Sequence, residues 1–412
     1  MKTIALFGYY GVGNLGDEAV VAALIRNIRQ RQPDARIIGI SLNPVDTTAR
    51  HGIEALPIRR TYVPRPITVR NRILARFLGV WQALFLKLPA EAAFTVQSLF
   101  ALGGIDMLVV AGSGGVYDWW HGPWSHPFTH FRWALLASLR RTQMVYLSVG
   151  AGPFKTVLGK FFFRFALSHA AYRSFRDSES LHWMDVIGMT KPAHLFPDMA
   201  FDIAVRPAVK TPADASRRTR VGVNALPFFH AEWSALYDTG AMEYAAYIDA
   251  LAEFVDWLLG HNCEVVFFHS QIGDQFLDKD IIAALERKTS AALWRPYVRC
   301  SAAQSFEELL DHIDALDIVV ASRFHAILFS YLLKKPVLGV SYHHKVDDLM
   351  TRMGQEQYIL DIRTLSGASL IDAFDRLAGD IREQRWPFDD AIFERYRADV
   401  KRQFDALFTQ SL

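Results

Sequence analysis

Two cysteines in 412 residues, Cys263 and Cys300, are too few for a disulfide framework. No stretch holds the ~18 to 20 uninterrupted apolar residues of a membrane span, because Arg76, Lys87 and Glu91 break the most apolar region. Neither sign of charge prevails: Lys+Arg 45 against Asp+Glu 43 leave no chain-wide field for a nucleic acid, which is not expected as a partner. The N-terminus lacks a charged region, an apolar region and a cleavage site in that order, so the expected compartment is the cytoplasm, including the inner face of the membrane. Acidic residues are missing from all of 55–90, where Arg59, Arg60, Arg65, Arg70, Arg72, Arg76 and Lys87 accompany Ile73, Leu74, Phe77, Leu78, Trp81, Leu84 and Phe85. A basic loop followed by an amphipathic helix suits an anionic membrane surface, a peripheral contact. An inserted helix packing on the core fits the same pattern.

What is present is apolar and periodic. A hydrophobic content of 51% with 13% aromatics supplies well-formed cores, and this length suggests two domains. Short apolar runs, each followed by a Gly-, Ser- or His-bearing turn and usually a helical pattern, predict parallel strands at 3–7, 36–40, 107–111, 144–149 and 172–175, then at 220–224, 264–269, 318–321 and 337–341. Between the two sets lies a polar, proline-bearing stretch. The reading is α/β: two Rossmann-like, doubly wound domains facing a cleft. The first spans 1–205 on the acceptor side with the basic insertion at 55–90, then come a linker at 206–219, a donor-side domain at 220–370, and C-terminal helices at 371–412.

The stretch GYYGVGNLGDEAVVAALI contains a literal G-x-G-x-x-G at Gly11, Gly13 and Gly16, yet it fails as a dinucleotide site. Asp17 and Glu18 stand where a diphosphate would sit, and the second strand ends in Ile40-Ser41-Leu42 without an acid for a ribose. They also displace the Lys and Ser/Thr of a P-loop. The loop can instead bring bare backbone close to a ligand while Asn14 and Asp17 present polar tips; simple helix capping explains the same residues.

DIVVASRFHAILFSYLLKKPVLGVSYHHK, 317–345, is richer. A strand ends at Ser322, read as an N-cap, and a helix continues over 326–333, putting Arg323 and His325 in its first turn. Helix-start N–H groups and a guanidinium bind phosphate or carboxylate, and an imidazole beside that anion titrates near neutrality, as a general acid or base requires. A structural ion pair for Arg323 and a capping histidine are the plain alternatives. His343, His344 and Lys345 follow the next strand and can reach the same crevice, without acidic or cysteine partners at metal-ligand spacing. Other strand ends add Gly114, Gly115 and Asp118, then Arg176, then His269 and Asp274, and Trp and Tyr near them suit sugar rings.

These residues resemble the polysaccharide pyruvyl transferase family. The likeness runs through GYYGVGNLGDEAV, AGSGGVYD, SVGAGPF, FRDSES, PDMAFD, SRFHAILFSYLLKKPVLGVSYHHK and MTRMGQEQYILDIR, with the SRFH turn and the GNLGDE loop the most specific marks. The resemblance implies a GT-B-like fold and transfer of pyruvate from phosphoenolpyruvate, as a ketal, onto a sugar of a cell-surface polysaccharide or its lipid-linked precursor. It implies His325 and Asp17 as catalytic residues and Arg323 as a donor ligand. Ser322, Arg176 and Lys345 are further donor-side candidates, Asn14, Gly16, Gly114, Gly115 and Asp118 acceptor-side candidates, and His269 and His344 line the cleft. The resemblance implies phosphoenolpyruvate as a co-substrate, and neither a redox cofactor nor an obligate metal is called for. The sequence departs from the family pattern in one place: members often carry an arginine just after the first strand of the second domain, where this chain reads VGVNALP, 221–227. A nucleotide-sugar glycosyltransferase of the same architecture and a silent polysaccharide-binding paralogue remain alternatives.

Overall fold

The structure, a computed structural model, describes residues 1–60, 86–112, 115–119, 122–205, 217–230 and 241–409. Most of the basic insertion, most of the linker at 206–219 and Gly114 lie outside the described residues. The chain divides into two compact units, one of Met1–Val12, Leu24–Phe196 and Phe404–Leu412, the other of Gly13–Ala23 and Pro197–Gln403.

In the first unit the strands are β1 (Thr3–Phe7), β2 (Arg36–Ser41), β3 (Glu54–Pro57), β4 (Met107–Val110), β5 (Gln143–Val149), β6 (Tyr172–Phe175) and β7 (His194–Leu195). All pair in parallel in the order β3-β2-β1-β4-β5-β6-β7. Helix α1 (Leu15–Arg31) follows β1 and is divided between the units, and α2 (Pro44–His51) follows β2. Helices α3 (Leu88–Ala101), α4 (His126–Arg140), α5 (Val157–His169) and α6 (Ser178–Val186) accompany β4 to β7. β4 and β5 are buried along almost their whole length, as strands covered on both faces must be.

The core of this unit holds Phe7, Leu108, Trp133, Tyr146 and Phe163, and among them sits His130, whose Nδ1 lies 3.0 Å from the Tyr146 hydroxyl. Burial, helped by His126, pushes the His130 imidazole down to about 3. An unfolded chain would hold that histidine near its ordinary value of about 6.5. Between those two values the unfolded state binds a proton that the folded state refuses, so folding weakens as pH falls through this window, by up to about 1.4 kcal/mol per pH unit. His130→Gln is therefore expected to lose less melting temperature than the parent between about pH 7 and about pH 5. Parallel melting curves with equal losses would count against it.

The second unit repeats the plan with β8 (Thr219–Asn224), β9 (Cys263–Phe268), β10 (Val298–Ser301), β11 (Ile318–Ala321), β12 (Val337–Ser341) and β13 (Ile359–Asp361), in the parallel order β10-β9-β8-β11-β12-β13. Its longer helices are α7 (Ala241–Gly260), α8 (Phe276–Lys288), α9 (Phe306–Asp314), α10 (Phe324–Leu332), α11 (His344–Arg352), α12 (Gly367–Arg382) and α13 (Asp390–Thr409), the last shared with the first unit. The chain winds outward from β8 to β10 and then restarts at β11 on the other side. The strand order thus reverses between β8 and β11, and the carboxyl ends of two such strands leave a crevice where ligands of open parallel sheets bind. Both cysteines are free, and burial pushes each thiol up to about 11, so they stay protonated near neutral pH.

Candidate functional site

At the β8/β11 reversal the residue ending β8 is Asn224, within the VGVNALP segment. Its side-chain amide donates to the Phe268 carbonyl at 2.9 Å, tying β8 to β9, while its Oδ1 accepts the Arg323 backbone N–H at 3.2 Å and its carbonyl accepts Ser322 N–H at 3.0 Å. A buried amide with donor and acceptor both engaged is a rigid brace. Ser322 is buried and bonds the Tyr247 hydroxyl, which also accepts Leu226 N–H at 3.3 Å; burial pushes that phenol up to about 12.

The cap of α10 is a correction to the sequence reading. The N-cap is Arg323, in extended conformation and without a side-chain cap bond, rather than Ser322, and the helix begins at Phe324. The guanidinium turns instead to Asp274 in the loop after β9, with Nε at 2.7 Å and Nη2 at 2.6 Å from one carboxylate oxygen. Asp274 is 4% exposed, so this pair sits in low dielectric and its orientation is firmly held. His325, on the first turn of a largely apolar helix, is buried beside the Phe324 and Phe329 rings. Its Nε2 stands 3.9 Å from Asp198 Oδ2, an ion-pair distance once the ring carries a proton. Asp198 is itself fixed by accepting Ala200 N–H at 3.0 Å.

The glycine loop belongs by its contacts to this same unit. Asn14 pairs with Gln271 in an antiparallel bridge, Leu15 N–H donates to the Ser270 carbonyl at 2.9 Å, and Ile272 N–H donates to the Gly13 carbonyl at 2.7 Å. Asn14 Oδ1 accepts Gly16 N–H at 3.2 Å and Asp17 N–H at 3.4 Å, capping α1. A methyl on Gly16 would fall within the His325 imidazole, overlapping Nδ1 and Cγ and standing 2.6 Å from Cβ. The glycine is therefore required by a side chain distant in sequence, and half-buried Asp17 follows it directly. Beneath the loop, His269 Nε2 lies 2.8 Å from Asp278 Oδ1, both buried, and Asp278 also accepts the Cys300 thiol.

The other candidates are distributed as follows. Lys345 and His344 open α11 after β12, the neighbour of β11; Lys345 Nζ lies 5.2 Å over the Tyr342 ring and the His344 ring 4.1 Å from that of His343. Gly115, Asp118 and Arg176 belong to the first unit. Gly115 is buried in the turn after β4. Asp118, expected to meet an acceptor, has both oxygens engaged by the segment that follows β5: Oδ1 accepts Lys155 N–H at 2.5 Å, and Oδ2 accepts Thr156 N–H at 2.7 Å and its hydroxyl at 2.5 Å. Arg176 lies over Gly150, whose added Cβ would stand 2.8 Å from Nη2, with Nε 3.6 Å from Asp177. Sequence reasoning passed over Asn224 and Asp198; a polar residue ending a buried strand and the first acid of PDMAFD were the available signals.

With this geometry in hand, the comparisons are direct. Residues 14–344 match the model of the family described as Polysaccharide pyruvyl transferase. No curated protein matches the sequence. Among solved structures, the UDP-GlcNAc 2-epimerase from Methanocaldococcus jannaschii is similar with TM-score 0.62 at 11% identity, covering 99% of this chain and 100% of that one. The UDP-GlcNAc 2-epimerase from Neisseria meningitidis bound to UDP-GlcNAc gives 0.56 at 11% identity, covering 100% of both chains. The glycosyltransferase SnogD from Streptomyces nogalater gives 0.53 at 14% identity, covering 99% of both. At such identities the likeness is one of fold: two parallel-sheet α/β domains of GT-B-like type, as the sequence led us to expect.

Proposed function

The chain belongs to the polysaccharide pyruvyl transferase family, and on that premise we propose that it transfers the pyruvyl group of phosphoenolpyruvate onto two hydroxyls of one sugar, as a ketal, in a cell-surface polysaccharide or its lipid-linked precursor. The observation that carries this reading is the contact of the glycine loop with His325 beside the Asp274-held Arg323, at the head of a helix where the strand order reverses. A helix start and a fixed guanidinium suit a small anion bearing phosphate and carboxylate. An imidazole beside that anion can move one proton.

The chemistry follows from those parts. His325 protonates the methylene carbon, which becomes the methyl group and leaves C2 cationic. One sugar hydroxyl adds to C2 and gives its proton to Asp17 or back to His325. The second hydroxyl then bonds C2 as the C–O bond to phosphate breaks, and its proton leaves with the phosphate. Arg323 and the first turn of α10 hold the negative charge throughout, with Lys345 as a second cation and Asn14 fixing the loop that carries Asp17.

Ligand binding to the folded state raises its melting temperature, by the equivalent of about 2.7 kcal/mol at a hundredfold excess over Kd. Phosphoenolpyruvate should stabilise the protein, and uridine or guanosine diphosphate sugars should not. Stabilisation by a nucleotide-sugar alone would move the assignment to a glycosyltransferase.

A further inference from the structure

Three helices of the first unit, α3, α4 and α5, pack side by side and turn an apolar face outward. Val96 and Phe100 on α3, Leu135 and Leu139 on α4, and Val157 and Phe161 on α5 are each between 38% and 86% exposed. Each pair is four residues apart, which places both members on one side of its helix. Trp124, 67% exposed, leads into α4 and packs on Phe128 at 5.4 Å, and Phe131 joins α4 to α5 through Phe165 at 4.8 Å and Phe161 at 6.2 Å. Isolated exposed apolar residues need no explanation; an aromatic ridge continuous across neighbouring helices does.

Among the described residues, the charge carried by these three helices is almost all of one sign. Glu91 is the single acid in the three helices, and Arg132 holds it at 3.0 Å. Around the ridge stand exposed Arg140, Arg141, Lys155 and Arg164 and half-buried Lys160. Arg140 illustrates the arrangement: it lies 5.5 Å over the Phe100 ring and donates to the Leu99 carbonyl at 2.8 Å, its stem along apolar surface and its charge at the edge.

We propose that the α3–α4–α5 face is a docking surface for an anionic lipid bilayer, with the aromatic ridge seated at the headgroup boundary and the cations on lipid phosphates. Charge complementarity selects this occupant. A second copy meeting the same face about a two-fold axis would set cations against cations. Among the described residues no helix is long and apolar enough to cross a membrane. The proposal does not depend on the reaction assigned above.

The test is sedimentation of the full chain with phosphatidylcholine vesicles and with vesicles containing about one third phosphatidylglycerol. Binding is expected to the anionic vesicles only, weakening as salt rises. Phe161→Glu and Leu139→Glu should each reduce it at least about tenfold with an unchanged melting temperature, since these side chains already face solvent. Arg164→Glu should weaken it by charge alone, about fivefold or more. Equal binding to neutral vesicles, or unchanged binding in both apolar variants, overturns the proposal. So does a parent dimer that Phe161→Glu converts to monomer, which would give the face to a second copy.

Discussion

Phosphate release from phosphoenolpyruvate should fall about 10²- to 10⁴-fold when His325 is replaced by alanine, the contribution of a positioned acid–base group. Gly16→Ala should approach the lower end of that range, about a hundredfold, although it removes no polar atom. The added methyl would occupy space that the imidazole fills, so either the ring moves by an ångström or more or the start of α1 lifts from the Ser270 carbonyl. Alanine is otherwise welcome at this position: Gly16 lies in the first turn of α1, outside the left-handed region, and alanine is better than glycine in a helix by about 1 kcal/mol. Any loss must therefore come from the collision. Gly379→Ala in α12, where nothing lies within 4 Å, is the matched control and should leave turnover intact. Full turnover in Gly16→Ala would mean that the imidazole position is irrelevant to the reaction.

How much of this could be read in advance depends on where a residue stands in a sheet. The nine strands anticipated from apolar runs are all interior strands, whose two covered faces make near-continuous hydrophobic sequence. The four that escaped, β3, β7, β10 and β13, are the two edges of each sheet. Their residues are half-buried or exposed, as in His194–Leu195, so neither a run nor an alternation betrays them. Helix α10 was legible for the same reason as the inner strands, while its cap was misassigned because Ser322 has the chemistry of an N-cap and uses it on Tyr247 instead.

The glycine loop was legible in kind and not in partner. So many glycines signal close backbone approach, yet nothing local says that the approach is to an imidazole far along the chain or that Asn14 pairs with Gln271. Asn224 shows the opposite difficulty. In place of an arginine that segment carries a neutral brace, which positions the Arg323 backbone from the neighbouring strand.

The largest stability effect should come from Asp274→Ala. It would leave the Arg323 guanidinium, 14% exposed, without its carboxylate in low dielectric, and breaking one side of such a pair typically costs about 3 to 5 kcal/mol. Denaturant unfolding should shift accordingly. Arg323→Met combined with Asp274→Ala should recover most of that loss, because no buried charge is then orphaned and an apolar chain fills the space. Turnover should not recover with it. The guanidinium would be gone, so the donor anion would lose the cation proposed to hold it while the fold stands. That separation of stability from activity distinguishes an arginine held ready for a ligand from one that only braces the loop after β9. A double variant as unstable as the single one would remove the buried-charge argument, and a double variant that turns over normally would remove Arg323 from the donor site.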